Sequence, residues 1–403
     1  MRASGVRRVV LVVVLAMVLV LGAVVGWSRW TVAAGGGSWT VAVAGARDVV
    51  DHDGDRLLVS TTRGFSVLDR TDGSTLAEHA VGTPVSSEGA VGFVDGGVLV
   101  RAEGRIGVMA ADGSWAWRQE SDATVVAVDP SRSRVVVLDW DTEMLLGLDS
   151  RTGEEVWAHP AIDVAPADGP RLGLLVATTR ESGQTVVRTR DGTALSTLDP
   201  GSDGLGVGPG GVVAREGERC AHLVVVRPDG EVVTTRGTGV RRCAIAGVAA
   251  HYSYLVSDEA VLALEASTGH VRRLPVGVDD ADAWSLVGQA DRWLVLEEGS
   301  GAGVYDASTG EPTWSGSWQG DGGVLAVGTE GFVARDAPEP WDRTVGGAEG
   351  QALTFRGPQG AILGTFQPDG VGLTVARVLD RGQAVLVLAD GEVAMLGESS
   401  EGA

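Results

Sequence analysis

Beyond residue 38 the apolar positions fall in short runs of four to six residues, separated by Gly, Asp, Ser and Thr. No stretch there keeps an apolar period of 3.6, so the pattern predicts strands joined by tight turns rather than helices. Thr124 to Val128, Val135 to Asp139, Met144 to Leu148 and Glu154 to His159 read as four successive strands. Ala283 to Gly288, Trp293 to Glu297, Ala302 to Asp306 and Glu311 to Ser315 repeat the set. The exception to the strand pattern is Val9 to Gly26, 18 residues without a charge.

The strands repeat with a period. Gly147 to Trp157 (GLDSRTGEEVW) and Val304 to Trp314 (VYDASTGEPTW) match closely, and Ala263 to Gly269 copies their first half. Taking the turn glycine of each copy gives Gly73, Gly113, Gly153, Gly192, Gly230, Gly269, Gly310 and Gly360, with steps of 38 to 41 residues and a last one of 50. The long step holds an acidic, Pro-rich insertion, Asp336 to Gly350. In the best copies Asp149 or Asp306 ends a strand where its carboxylate can cap the turn. Gly153 or Gly310 supplies the positive φ of the reversal. A Trp follows four residues later, as Trp117, Trp157 and Trp314, which suggests a repeated packing slot.

Four-stranded units of about 40 residues are the signature of a β-propeller. The expected fold is therefore all-β, a single propeller of about eight blades over residues 39–397. Three further strands near 373–379, 383–389 and 392–396, with an unpaired one in Ser38 to Ala44, make nine the alternative. Joining the two ends would remove exposed sheet edges.

The two best segments resemble the tryptophan-docking repeat A-x-D-x-x-T-G-x-x-x-W of PQQ-binding-like propellers. That group includes quinoprotein alcohol dehydrogenases and the propeller lipoprotein of the outer-membrane barrel-assembly machinery. The quinoprotein branch implies an adjacent-Cys disulfide over the cofactor and Glu, Asn and Asp around calcium. This chain has no adjacent Cys and no Asn, so no residue of that pocket carries over. The expectation is a non-enzyme without cofactor, acting as a protein-interaction or scaffold module. A PQQ-dependent dehydrogenase or a small-molecule sensor using the central channel is the alternative.

The N-terminus changes the picture of where such a ring would work. Arg2, Arg7 and Arg8 precede the apolar run, and Trp27 and Trp30 follow it. As a helix, 18 residues span about 27 Å, enough for a hydrocarbon core. The expected division is a cytoplasmic tip over 1–8, a transmembrane signal anchor over 9–30, a linker over 31–38, the propeller, and a tail over 398–403. A cleaved signal peptide is the other reading. The expected location is the plasma membrane, single-pass, with the propeller outside the cytoplasm and envelope proteins as its partners.

Charge and cysteines refine this further. All 32 basic residues are Arg, and beyond residue 30 there are 28 Arg against 53 acids, a charge of −25. Such a surface repels phosphate backbones, so nucleic acid is not expected as a partner. Cys220 and Cys243 form a disulfide if the domain is exported, or stay as buried thiols. Cys220 is expected just before the third strand of one blade, and Cys243 in the first strand of the next. Asp51-His52-Asp53-Gly54-Asp55 offers alternating carboxylates of the kind that suit calcium, but reads better as an inter-strand turn. Gly206 to Gly211 meets G-x-G-x-x-G formally but lacks the strand before it and the helix after it. The six His are scattered, without a metal-ligand spacing. Long loops on rigid scaffolds carry recognition, so Trp341 in the insertion is the candidate partner contact.

Overall fold

The computed structural model describes residues 38–397 apart from 82–91, 103, 166–170, 181–182, 199–204, 216–219, 221, 237, 239, 241–242, 258–259, 275–283, 299–300, 318–322, 336–351 and 367–371. The described chain forms nine four-stranded antiparallel sheets, the blades of a propeller. Blades 1 to 8 are continuous: Ala46–Ala80, Gly92–Glu120, Thr124–Pro160, Asp163–Leu198, Leu205–Arg236, Ala244–Arg273, Trp284–Ser317 and Gly323–Phe366. Blade 9 takes three strands from Leu373–Gly397 and its fourth, Trp39–Ala42, from the other end of the chain. Trp39 faces Met395 and Ala42 faces Glu392 in that pairing.

Nine blades correct the expectation of eight, and the reason is mechanical. Each turn glycine lies between the third and fourth strands of a blade. In blade 9 those strands come from opposite chain ends, so it has no such turn and a count of turns omits it. The transmembrane anchor over 9–30 falls outside the described residues. Among the described residues, no helix is long and apolar enough to cross a membrane.

The hydrophobic core is not one central mass but a series of layers between neighbouring blades. Leu57, Val59 and Leu68 of blade 1 pack with Trp39, Val385, Val387 and Met395 of blade 9. Leu58, Phe65 and Val67 point the other way, against Phe93, Val98 and Val100 of blade 2. Further layers join blades 2 with 3, 3 with 4 and 5, 5 with 6, 6 with 7, 7 with 8, and 8 with 9. Side chains alternate between the two faces of a strand, so a sheet covered on both faces needs an unbroken apolar run. Arg134–Asp139 (RVVVLD) and Gln383–Leu388 (QAVLVL) are such runs. Fourth strands lie at the rim and read as polar, as in Thr75–Ala80.

The Cys220–Cys243 disulfide joins blades 5 and 6, with Cα atoms 5.9 Å apart. Cys220 stands just before the third strand of blade 5, as expected. Cys243 lies immediately before the first strand of blade 6, Ala244–Val248, rather than inside it. Both sulfurs are buried in the layer between these blades. A loop of 23 residues closed this way stabilises by about 3 kcal/mol in the chain-entropy account.

All eight turn glycines have positive φ, from +70° to +91°. Their second property is the space a side chain would fill. A Cβ on Gly153 would lie 2.6 Å from the indole of Trp117, in the fourth strand of the preceding blade. Gly54 has φ +55° too, but nothing lies within 4 Å of its Cβ position. Gly54→Ala should therefore cost only backbone strain, about 1 kcal/mol. Gly153→Ala should cost about 3 kcal/mol or more, because the indole must also be displaced. Denaturant midpoints of the two variants check this, and equal losses would show that Trp117 is not seated on the turn.

Candidate functional site at the turn face

Strand direction gives the ring two distinct faces. First-to-second and third-to-fourth turns open on one, called here the turn face. Second-to-third turns and the links between blades open on the other, the connection face.

Each third-to-fourth turn is a seat for the blade before it. The Asp at the strand end accepts amides of the turn: Asp149 Oδ1 accepts from Arg151 N at 3.0 Å, and Asp306 Oδ1 from Ser308 N at 2.7 Å. The glycine N–H donates back to the Asp carbonyl, at 2.8 Å for Gly153 and 2.7 Å for Gly310. The bare Cα then accepts the neighbour's ring. Trp117 sits on Gly153, Trp157 on Gly192 and Trp314 on Gly360, so the three expected tryptophans fill one kind of slot. Trp39 occupies the same slot on Gly73, and its Nε1 donates to Arg70 O at 2.9 Å, as Trp117 Nε1 does to Ser150 O at 2.8 Å. The sequence reading missed Trp39 because its blade lacks the turn that defines the offset. Elsewhere other side chains substitute: His79 on Gly113, Leu195 on Gly230, Val233 and Thr235 on Gly269, and Arg272 on Gly310.

A dense polar cluster gathers around Asp51-His52-Asp53, at the end of the first strand of blade 1. Asp51 is nearly buried and accepts Phe93 N of blade 2 at 2.8 Å and its neighbour His52 N at 2.8 Å. Arg171 of blade 4 closes on both Asp51 oxygens and donates to His52 O at 3.1 Å. Arg132 of blade 3 pairs with Asp53 and donates to the same carbonyl at 3.1 Å. Arg56 also pairs with Asp53, and its guanidinium lies 4.7 Å from the centre of the Phe93 ring. On the other side His52 Nε2 stands 3.4 Å from Asp380 Oδ1 of blade 9. Arg70, whose side chain is 2% exposed, donates to Asp380 Oδ1 at 2.5 Å and to Gln383 Oε1 at 2.6 Å.

This geometry answers the calcium question raised by the alternating carboxylates. The oxygens of Asp51 and Asp53 are occupied by guanidinium and amide donors, and Gly54 makes the strand reversal. The segment is an inter-strand turn; its acids tie blades 1, 2, 3 and 4 together at the hub, and His52 and Arg70 add blade 9 through Asp380. Arg56 is local to the turn, but Arg132 and Arg171 lie 80 and 120 residues from the groups they bind, and Arg70 lies 310 from Asp380, so no local signal could have named these three. Desolvation alone would raise the Asp53 and Asp380 carboxyls. Hydrogen bonds from Arg56 and Arg132, and from Arg70, outweigh it and hold both below the ordinary value. Burial lowers His52, and the pull of Asp380 the other way does not compensate.

A depression of about 430 Å³ also opens on the turn face, between blades 3, 4 and 5. Asp129, Ser131, Arg188, Thr189, Asp191 and Asp229 line it. Asp129 is committed there to Ser131 N at 3.1 Å and Arg134 N at 2.6 Å, as a turn cap. Trp341 and the rest of the insertion fall outside the described residues.

The hub makes stability depend on pH in a definite direction. His52 titrates lower in the fold than its ordinary 6.5, so protons bind the unfolded chain first and acid weakens the fold below about pH 6.5. His159, also lowered by burial, acts the same way. Asp53, Asp306 and Asp380 lose their contribution only as pH falls through values under 3.8. Thermal melting should therefore drop between about pH 7 and 5, and His52→Gln should reduce that drop without abolishing it. A variant with the wild-type slope would take His52 out of the account.

Among known families, residues 64–202, about a third of the chain, match the PQQ-repeat family described as outer membrane protein assembly factor BamB. No curated protein matches the chain. Among solved structures, BamB from Moraxella catarrhalis is 15% identical, covering 76% of this chain and 95% of that one, with a TM-score of 0.39. The computationally designed Ika8 protein is 16% identical, covering 89% and 98%, with a TM-score of 0.46. Hsv2 from Kluyveromyces lactis is 14% identical, covering 68% and 98%, with a TM-score of 0.39. Residues 64–202, which run from blade 1 to the end of blade 4, are thus similar to the PQQ-repeat family, and they lie within a nine-bladed β-propeller.

Proposed function

We propose that this chain is a non-catalytic protein-interaction propeller, held on the outer side of the plasma membrane by its apolar N-terminal segment. In this reading residues 1–8 lie in the cytoplasm, 9–30 span the bilayer, 31–38 link, and the ring meets envelope proteins. The observation that carries it is the repeat match to a family of assembly factors over residues 64–202. The hub supports it, since its acids and guanidiniums neutralise one another across blades and act as a brace. A closed ring holds its loops on a rigid frame, where recognition residues are positioned at little entropic cost. The charge of −25 beyond residue 30 favours partners with basic surfaces. The disulfide suits an exported domain.

In-cell crosslinking with mass spectrometry, on wild type and Trp341→Ala, tests the reading. Wild type should return recurrent envelope-protein partners. If Trp341 anchors one of them, its removal should cost about 2 kcal/mol, roughly a thirtyfold loss in affinity. Partners unchanged by the substitution would clear Trp341 of the role. Saturable PQQ binding with dye-linked dehydrogenase activity, and no recurrent partner, would overturn the proposal.

A further inference from the structure

The course of one strand decides which face the ring would turn to a membrane. Trp39–Ala42 is the fourth strand of blade 9, and fourth strands run from the turn face to the connection face. Side-chain contacts fix that direction independently. At its start Trp39 sits on Gly73 and donates to Arg70 O, both in a third-to-fourth turn. At its end Val43 N donates to Gly391 O at 2.9 Å, in a second-to-third turn. The chain preceding Trp39 therefore leaves the propeller at the rim of the turn face. The third strand of blade 9, Glu392–Gly397, runs antiparallel to it and also ends on the turn face.

We propose that the propeller stands with its turn face toward the membrane and its connection face outward, an inference that rests on the N-terminal anchor proposed above. Linker arithmetic supports it. The eight residues of 31–38 have a root-mean-square span of about 16 Å if flexible. A six-residue strand such as Met144–Asp149 separates the two faces by about 20 Å. Turning the connection face to the bilayer would require the linker to run those roughly 20 Å along the rim first, beyond its relaxed span and most of its limit of about 28 Å. The acidic ring stands off anionic headgroups rather than embedding in them. Three features then point outward together: the disulfide between blades 5 and 6, the half-exposed Trp140, and the two strand ends, Arg335 and Leu353, that flank the insertion.

Two single-cysteine variants of the full-length chain in proteoliposomes test this. Arg151→Cys labels the turn face and Asp141→Cys the connection face, both at exposed positions of blade 3. Both native cysteines are in the disulfide, so a maleimide donor dye reports one position at a time. With an acceptor dye on lipid headgroups, transfer from position 151 should exceed transfer from position 141 by at least twofold. Equal transfer, or more from position 141, would overturn the orientation while leaving the anchor intact. Protein extracted from the vesicles by alkaline carbonate would instead remove the anchor, and the orientation with it.

Discussion

The structure depends on one requirement: a sheet that is apolar on both faces must find a neighbour on each side. Blade 1 illustrates it, with Leu57 and Val59 buried against blade 9 while Leu58 is buried against blade 2. An open row of such blades would leave an apolar face exposed at either end. Burying a Val or Leu side chain is worth about 1.5–3 kcal/mol, so several left in water at one seam would weigh heavily against the fold. Closure removes the problem, and placing the N-terminal strand in the last blade makes the closure hydrogen-bonded as well as apolar. The buried Arg70, held between Asp380 and Gln383, reinforces the same seam from the turn face.

Much of this was legible from residues alone, and the physical reason is locality. Turns are local objects, so Asp149, Gly153 and Trp157 announced their roles within nine residues. Expected strands such as Thr124 to Val128 coincide with those formed, because alternation and turn chemistry agree there. What escaped was set by distance along the chain. Trp39 docks on Gly73 without any local motif, since the seat and the ring belong to different ends of a closing interface. Asp51 and Asp53 were visible as a turn, but Arg132 and Arg171 reach them only because four blades converge at the hub.

The architecture separates holding from presenting. The turn face carries the aromatic seats, the Asp caps and the charged brace, all committed to keeping neighbouring blades in register. The connection face carries the links between blades and the second-to-third turns, one of which holds the insertion that lengthens the last step to 50 residues. Variation there leaves the inter-blade layers untouched, which is how a rigid ring can acquire new contacts without losing stability. A function of recognition fits this division better than one requiring a constellation buried at the hub, where the acids and guanidiniums already neutralise one another.

The central claim is that the ring is closed by the strand Trp39–Ala42. Native-state hydrogen exchange followed by mass spectrometry reads it directly, because an amide in a paired strand exchanges only when the pairing opens. The amides of Val41, opposite Val393, and of Val43, which donates to Gly391 O, face the partner strand and should be protected to within about tenfold of it. Exchange of Val41 and Val43 at the rate of free chain, with 392–397 still protected, would show an open ring and contradict the account.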